Sequence, residues 1–167
     1  MTALKAGDSF PEGVSFTYVP YTPEQPDLTS CGVGIKYDAS KEAANKKIVI
    51  VAVPGAFTPT CQEQHVVSYI QNKDKLKAKG VDQVIFIASN DHWVMSAWGK
   101  ANGVKDDFIL FASDAGLAFS KQIGWFNGDR TQRYAIVVDH GKVTYAERDT
   151  VPKSIANSGA EGVLAKL

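Results

Sequence analysis

The chain has 167 residues and a mass of 18.0 kDa, a size that allows one domain with a core that needs no disulfide or metal for stability. Lysine and arginine number 18, as do aspartate and glutamate, so the net charge is zero and nucleic acid is a poor candidate partner. No apolar run reaches the roughly 18 residues of a membrane span, and the N-terminal segment lacks the apolar core of a secretion signal. We expect a single intracellular domain over residues 1–167, whose two cysteines are either buried or reactive.

The apolar pattern predicts alternating strands and helices. A strand at 15–19 precedes a loop rich in proline and glycine that carries Cys31. A β-branched run at 48–53 predicts a strand buried on both faces, and a loop at 54–60 leads into a helix that ends near Ile70. The further predicted elements are a helix at 73–79, a strand at 84–88, a helix at 92–101, a strand at 109–112, a helix at 117–123, a hairpin of strands 134–138 and 143–147, and a helix at 159–167. This order predicts an α/β protein with a thioredoxin-like fold, an N-terminal extension and one inserted strand–helix segment.

Cys61 follows the loop between the first buried strand and its helix. Reactive groups of open α/β sheets lie at such carboxyl ends of strands. The helix can begin with Thr60 as N-cap, which has capping-box spacing to Glu63, or with Thr58 as N-cap and Pro59 as the first helical residue. Both starts put Cys61 in the first turn, where free N–H groups and the helix dipole stabilise a thiolate. We therefore expect a reactive cysteine rather than a core cysteine, the usual place of this residue type.

Cys61 also has a histidine near it on the same predicted helix. His65 lies four residues later on the same helix face, and cysteine proteases and acyl transferases use a Cys–His pair. Because the sequence places neither an orienting group nor an oxyanion site, we interpret His65 as a hydrogen-bonded structural histidine. A zinc site formed by Cys31, Cys61 and His65 lacks the close cysteine spacing of structural sites. No metal and no cofactor is predicted.

Residues 54–61, Pro-Gly-Ala-Phe-Thr-Pro-Thr-Cys, resemble the Pro-x-x-x-Thr-x-x-Cys active-site signature of peroxiredoxins. Together with His65 the string is similar to the type II branch, which includes small fungal members, some of them allergens. The resemblance extends over almost the whole chain and includes the segments 81–84, 90–99, 113–116 and 133–135. One departure is the pair His92-Trp93, where the branch usually has Pro-Phe.

The resemblance implies a thiol peroxidase that reduces hydrogen peroxide and organic hydroperoxides. Cys61 would be the peroxidatic cysteine, which is oxidised to a sulfenic acid. The Thr58 hydroxyl would accept a hydrogen bond from the peroxide and donate towards the thiolate. Pro54, which has no N–H, would shape the pocket and shield the intermediate from water.

The chain has three arginines, Arg130, Arg133 and Arg148. One of them would be the cationic partner of the thiolate. Arg133 immediately precedes the predicted strand 134–138 and matches the arginine of the family. Its fixed charge would stabilise the Cys61 thiolate and polarise the leaving oxygen. The alternative to a catalytic role, for any one of these arginines, is that it is a solvated charge on the protein surface.

A thioredoxin carries cysteine at both ends of the corresponding tetrapeptide, whereas the segment from Thr58 to Cys61 has threonine at the first position. Oxidised Cys61 must therefore react with another thiol, and Cys31 is the other cysteine of the chain. The resemblance implies that Cys31 is the resolving cysteine, since certain fungal members carry it in the N-terminal loop. It also implies a homodimer with two reciprocal Cys31–Cys61 disulfides, which thioredoxin reduces.

The C-terminal Ala165-Lys166-Leu167 is a conservative variant of the Ser-Lys-Leu peroxisomal address, so we expect a peroxisomal or cytoplasmic protein. Two other functions compete with the peroxidase. One is a glutaredoxin-like thiol transferase that exchanges with glutathione. The other is a redox-inert binding module, which is disfavoured because it has no use for the activated thiolate that Thr58, Cys61 and Arg133 would form.

Overall fold

The structure, a computed structural model, describes residues 2–167 as a mixture of strands and helices. The strands are β1 (Ser15–Tyr18), β2 (Ile35–Asp38), β3 (Lys47–Ala52), β4 (Gln83–Ala88), β5 (Ile109–Ser113), β6 (Phe126–Asn127), β7 (Arg130–Thr131), β8 (Tyr134–Asp139) and β9 (Lys142–Arg148). The helices are α1 (Ala39–Asn45), a π-helical segment (Cys61–Val66), α2 (Val67–Gln71), α3 (Lys73–Ala78), α4 (His92–Ala101), a short 3₁₀ helix (Ala115–Leu117), α5 (Ala118–Gln122) and α6 (Ala160–Leu164). No helix in this part of the chain is long and apolar enough to cross a membrane.

Seven strands form one sheet in the order β2-β1-β5-β4-β3-β8-β9, and β6 and β7 form a separate hairpin. The three central strands, β3, β4 and β5, are parallel neighbours. Parallel strands need crossover connections, which α2 and α3 provide between β3 and β4, and α4 between β4 and β5. The pairings towards both edges are antiparallel. This arrangement agrees with the predicted α/β architecture.

The central strands separate two apolar layers, because successive side chains of a strand point to opposite faces. Ile48 and Ile50 of β3 belong to one layer, which also contains Phe119. Val49 of the same strand belongs to the other layer, which contains Cys61. The predicted reactive cysteine therefore belongs to one of the two packed layers and lies in a helical segment of that face.

Strand β2 and helix α1 are two elements that were not predicted from the sequence. Strand β2 lies at the edge of the sheet and is largely exposed, so it lacks the apolar run that marks β3. Helix α1 begins at an ordinary N-cap, since the Asp38 carboxylate accepts a hydrogen bond from the Lys41 N–H at 3.1 Å. That cap, an Asp followed by good helix formers, is a local signal that could have revealed α1.

Two predicted helices are shorter in the structure. The helix predicted at 117–123 begins at Ala118 because Leu117 adopts a left-handed backbone conformation, with φ of 59°. The helix predicted at 159–167 ends at Leu164. Beyond it the backbone continues in tighter turns, in which the Leu167 N–H donates to the Leu164 carbonyl at 3.3 Å.

Candidate active site

The helix that carries Cys61 begins at Pro59. Thr60 already has helical angles, φ −64° and ψ −37°, and its side chain makes no capping hydrogen bond, so the predicted capping box with Glu63 is wrong. The start at Pro59 is the other predicted alternative, although the Thr58 hydroxyl donates to the Gly55 carbonyl at 2.7 Å and does not cap the helix. From Cys61 the helix continues as a π-helical segment, a form found frequently at functional sites.

Arg133 contacts the sulfur of Cys61. Its Nη2 donates a hydrogen bond to Cys61 Sγ at 3.2 Å, and the cysteine is only 1% exposed. The two residues meet because β3 and β8 are antiparallel, so that Ala52 at the end of β3 pairs with Tyr134 at the start of β8. The guanidinium thus places a fixed positive charge directly against the buried sulfur.

His65 holds the other end of the guanidinium. Arg133 Nη1 donates to His65 Nδ1 at 2.8 Å, and His65 Nε2 donates to the Ser158 carbonyl at 2.9 Å. Burial, the largest cause, and the charge of Arg133 together lower the pKa of His65 to about 3, against the opposing effects of the Ser158 carbonyl and of Asp149. The ring is therefore neutral, with its proton on Nε2. A histidine whose Nδ1 accepts from an arginine orients that arginine and is not a base for Cys61, so the Cys–His pair of a protease is not formed.

The Ser158 carbonyl is itself fixed in place. It accepts a second hydrogen bond from the Tyr69 hydroxyl at 2.6 Å. The Asp149 carboxylate accepts from the Ser158 N–H at 2.8 Å, and the Asp149 N–H donates to the Arg133 carbonyl at 2.9 Å. The segment after β9 thus supports both His65 and Arg133, and sequence reasoning missed it because Ser158 is 93 residues from His65 along the chain.

Thr58 and Pro54 line an open pocket of about 230 Å³, whose lining includes neither Cys61 nor Arg133. The Thr58 hydroxyl directs its proton to Gly55, not to Cys61, which leaves its lone pairs available to accept a hydrogen bond. The Asn90 side chain accepts from the Ala56 N–H at 2.9 Å and so holds the loop. The loop therefore presents an acceptor, and no N–H at Pro54, to a small polar molecule.

The other two arginines have different partners. Arg148 donates to the Gln132 side chain at 2.8 Å, and its guanidinium lies 5.6 Å from the centre of the Trp125 ring. Arg130 is exposed and lies close to Gly55. Within residues 2–167, Arg133 is the arginine that is hydrogen-bonded to Cys61.

Known proteins are similar to this chain over almost its whole length. The Redoxin family profile matches residues 5–164. The chain is 58% identical to peroxiredoxin AHP1 of Chaetomium thermophilum over 167 residues, which is 100% of this chain and 96% of that protein. It is 48% identical to a putative peroxisomal peroxiredoxin of Lipomyces kononenkoae, with 96% of this chain and 99% of that protein covered. The crystal structure of reduced Prx3 of Vibrio vulnificus in complex with hydrogen peroxide superposes with a TM-score of 0.80 at 38% identity, with 97% of this chain and 98% of that chain covered.

The chain belongs to the peroxiredoxin family. The predicted family and the thioredoxin-like fold are confirmed. This peroxiredoxin is an enzyme, a thiol peroxidase, as predicted, and peroxides are its substrates.

The second cysteine of this peroxiredoxin lies apart from the first. Cys31 is exposed, and its thiol contacts the Thr29 carbonyl at 3.7 Å. Both cysteines are free. Among residues 2–167, no group of three histidine, cysteine, aspartate or glutamate side chains comes together as metal ligands.

Proposed function

We propose that Cys61 is the peroxidatic cysteine of this enzyme, that Cys31 of a neighbouring subunit is the resolving cysteine, and that thioredoxin is the reductant. The single observation that carries the proposal is the 3.2 Å hydrogen bond from Arg133 to a sulfur that is almost fully buried. A cysteine held in this way is suited to act as a thiolate nucleophile.

In the first step the Cys61 thiolate attacks one oxygen of the hydroperoxide. The S–O bond forms and the O–O bond breaks, and the leaving oxygen takes up a proton to become water or an alcohol. Negative charge moves from the sulfur towards the leaving oxygen, where the Arg133 guanidinium, already oriented by His65, stabilises it. The Thr58 hydroxyl, which donates to Gly55, accepts a hydrogen bond from the peroxide and orients it. Pro54 lines the same pocket as Thr58 and offers no N–H to water.

In the second step the Cys31 thiolate attacks the sulfur of the Cys61 sulfenic acid. The S–S bond forms and the S–O bond breaks, and the departing hydroxide is protonated to water. A dithiol then reduces the disulfide with two electrons and two protons. The exposure of Cys31 supports a protein dithiol of the thioredoxin type, because the sulfur that it must attack is accessible from solvent.

The position of α4 supports a disulfide between subunits. The Cys31 loop contacts one face of this helix. The Trp93 indole N–H donates to the Gly32 carbonyl at 3.0 Å, and Lys100 Nζ donates to the Ser30 carbonyl at 3.0 Å. Residues seven apart in a helix lie on the same face, so both neighbours of Cys31 rest on that face.

The segment that carries Cys61 contacts a different face of α4. Gln62 accepts a hydrogen bond from the Trp98 indole at 2.6 Å and donates to Asn102 at 2.7 Å. At 3.6 residues per turn, Trp98 and Asn102 lie roughly 140–180° around the axis of α4 from the face that contacts the Cys31 loop. An α-helix is about 10 Å thick, whereas the Cα atoms of a disulfide lie within about 7 Å. Within one subunit, α4 thus lies between Cys31 and Cys61. This favours a disulfide between Cys61 of one subunit and Cys31 of the second copy in a homodimer.

The test is peroxide consumption coupled to NADPH through thioredoxin and thioredoxin reductase, compared with glutathione and glutaredoxin as the electron donor. We expect sustained turnover with thioredoxin and little with glutathione. Turnover that depends on glutathione alone would support the glutaredoxin-like alternative and contradict the proposal.

We also propose that the protein resides in peroxisomes as well as in the cytoplasm. The C-terminal Ala165-Lys166-Leu167 supports this location, as does the name of the Lipomyces kononenkoae relative. Lys166 is exposed, so a receptor could reach it. A fluorescent protein fused to the N-terminus should co-localise with peroxisomes and lose that localisation when residues 165–167 are deleted. An unchanged distribution after the deletion would contradict the proposal.

A further inference from the structure

Lys100 is bound to the loop that carries Cys31. Its ammonium group donates to the Asp27 carbonyl at 3.1 Å, to the Ser30 carbonyl at 3.0 Å and to the Ser30 hydroxyl at 2.9 Å. An ammonium group has three N–H donors, so all of the donors of Lys100 can be used by this one loop. Lys100 lies in the last turn of α4 and fixes the residue immediately before Cys31 to that helix.

The residue immediately after Cys31 is fixed as well. The Trp93 indole donates to the Gly32 carbonyl. A Cβ added to Gly32 would come within 2.4 Å of Val19 Cγ1, so the backbone of this residue fits closely against the protein. In the pair His92-Trp93, tryptophan stands where the type II branch usually has phenylalanine. The indole N–H that binds the Gly32 carbonyl is therefore a feature that phenylalanine would not provide.

The Cys31 loop is nevertheless easier to displace than the helix of Cys61. The helix is held by buried hydrogen bonds of His65 and Tyr69. The loop is held chiefly by half-exposed hydrogen bonds, and a cavity of about 40 Å³ lies beneath it, beside Lys100. Segments with exposed hydrogen bonds and incomplete packing open at lower free energy. Both neighbours of Cys31 are fixed to α4, so the loop must leave this helix before its thiol can come within bonding distance of a sulfenic sulfur in a second copy. Because Cys61 is almost fully buried, the turn that carries it must open as well.

We propose that Lys100 and Trp93 are positioning residues that hold the Cys31 loop in a resting position and thereby limit the rate of disulfide formation. The proposal rests on the proposed role of Cys31 as the resolving cysteine. Attack by Cys31 proceeds from the fraction of molecules whose loop is released, so the rate rises when that fraction rises. A slow release also gives a second hydroperoxide time to oxidise the sulfenic acid. In that side reaction the sulfur gains an oxygen, the O–O bond breaks, and the peroxide leaves as water or an alcohol, which yields a sulfinic acid.

The test compares Lys100→Met and Trp93→Phe with the wild type in rapid-quench experiments, in which mass spectrometry follows sulfenic acid, disulfide and sulfinic acid. Lys121→Met is the matched control, because Lys121 is exposed and its side chain makes no hydrogen bond within residues 2–167. We expect Lys100→Met to form the disulfide about five-fold faster, the effect of losing a hydrogen bond of ordinary strength. The variant should accumulate less sulfinic acid, while the rate of Cys61 oxidation stays unchanged. Trp93→Phe keeps an aromatic ring and should act in the same direction even if the lysine variant folds poorly.

An unchanged or slower disulfide rate in both variants would overturn the proposal, and a slower rate would mean that the contacts present Cys31 to its target. The Cys31→Ser variant separates this failure from failure of the proposed function. If Cys31→Ser still forms a disulfide or still turns over with thioredoxin, both proposals fail. If it does neither and Lys100→Met shows no acceleration, only the restraint on the loop is refuted.

Discussion

His65 and Cys61 are hydrogen-bonded to the two terminal nitrogens of one guanidinium, that of Arg133. Nη1 donates to His65 Nδ1 at 2.8 Å and Nη2 donates to Cys61 Sγ at 3.2 Å. Because His65 is neutral and buried, it orients the guanidinium without adding a second charge. The positive charge of Arg133 therefore lies against the sulfur of Cys61.

Because Arg133 contacts the reacting sulfur, we expect its removal to slow the oxidation of Cys61 strongly. Arg133→Ala should slow the reaction of Cys61 with hydrogen peroxide by about 100-fold or more, the cost of losing a positioned donor to developing charge. Arg148→Ala is the control, since Arg148 contacts Gln132 and Trp125, and it should stay near the wild-type rate. Stopped-flow kinetics measure both variants. Equal losses in both would show that net charge, not the contact with Cys61, governs the reaction.

The neutral state of His65 predicts a pH dependence of stability. The pKa of His65 is lowered to about 3 in the folded protein, whereas in the unfolded chain it is about 6.5. Between these values the unfolded state binds more protons, so the free energy of unfolding is highest above pH 6.5 and falls as the pH decreases towards 3. The slope approaches about 1.4 kcal/mol per pH unit.

The variant that tests this slope is His65→Gln, measured beside the wild type. Urea unfolding at pH 7 and pH 5 should show a smaller pH effect on the free energy of unfolding in His65→Gln than in the wild type. If His65→Gln keeps the wild-type slope, His65 is not the group responsible.

The local and the distant parts of the site differ in how far they could be predicted. Pro54, Thr58 and Cys61 lie in one octapeptide, so a strand end, a loop and a helix start place them together without knowledge of the tertiary fold. Arg133 reaches the sulfur only through the pairing of β3 with β8, which local patterns do not specify, and its choice depended on the family resemblance. The contact between Ser158 and His65 spans 93 residues and has no local signal at all.

The same contrast applies to the fold. Strand β3 was predicted within a residue because its apolar run reflects burial on both faces. Strand β2 was missed because an exposed edge strand of four residues resembles a loop in its polarity. Cys31 was correctly placed in a loop, but its attachment to Trp93 and Lys100 depends on the packing of that loop against α4.

Thr58 predicts a difference between the hydroxyl and its isostere. Thr58→Val keeps the shape of the side chain but removes the acceptor for the peroxide, and it should lower kcat/KM for hydrogen peroxide by about 10-fold or more. Thr58→Ser retains the hydroxyl and should recover most of the activity. The prediction is wrong if the valine variant is as active as the serine variant.

A disulfide between subunits predicts complementation between two inactive variants. Cys31→Ser and Cys61→Ser proteins, oxidised separately, should give no linked dimer on a non-reducing gel. After the two are mixed and allowed to exchange subunits, each heterodimer has one Cys61 and one Cys31 on different chains, and peroxide should produce a linked dimer. An oxidised wild type that remains entirely monomeric on the gel would instead indicate a bond within one chain.

The proposed chemistry depends on Cys61 as the nucleophile, and a sulfenic-acid probe identifies the residue that peroxide oxidises. Wild type, Cys31→Ser and Cys61→Ser are treated with one equivalent of hydrogen peroxide in the presence of the probe, and mass spectrometry locates the label while peroxide consumption is recorded. We expect label on Cys61 in Cys31→Ser. We expect neither label nor peroxide consumption above a few per cent of wild type in Cys61→Ser, because a serine hydroxyl stays protonated near neutral pH. Label on Cys31, or undiminished peroxide consumption by Cys61→Ser, would contradict this expectation.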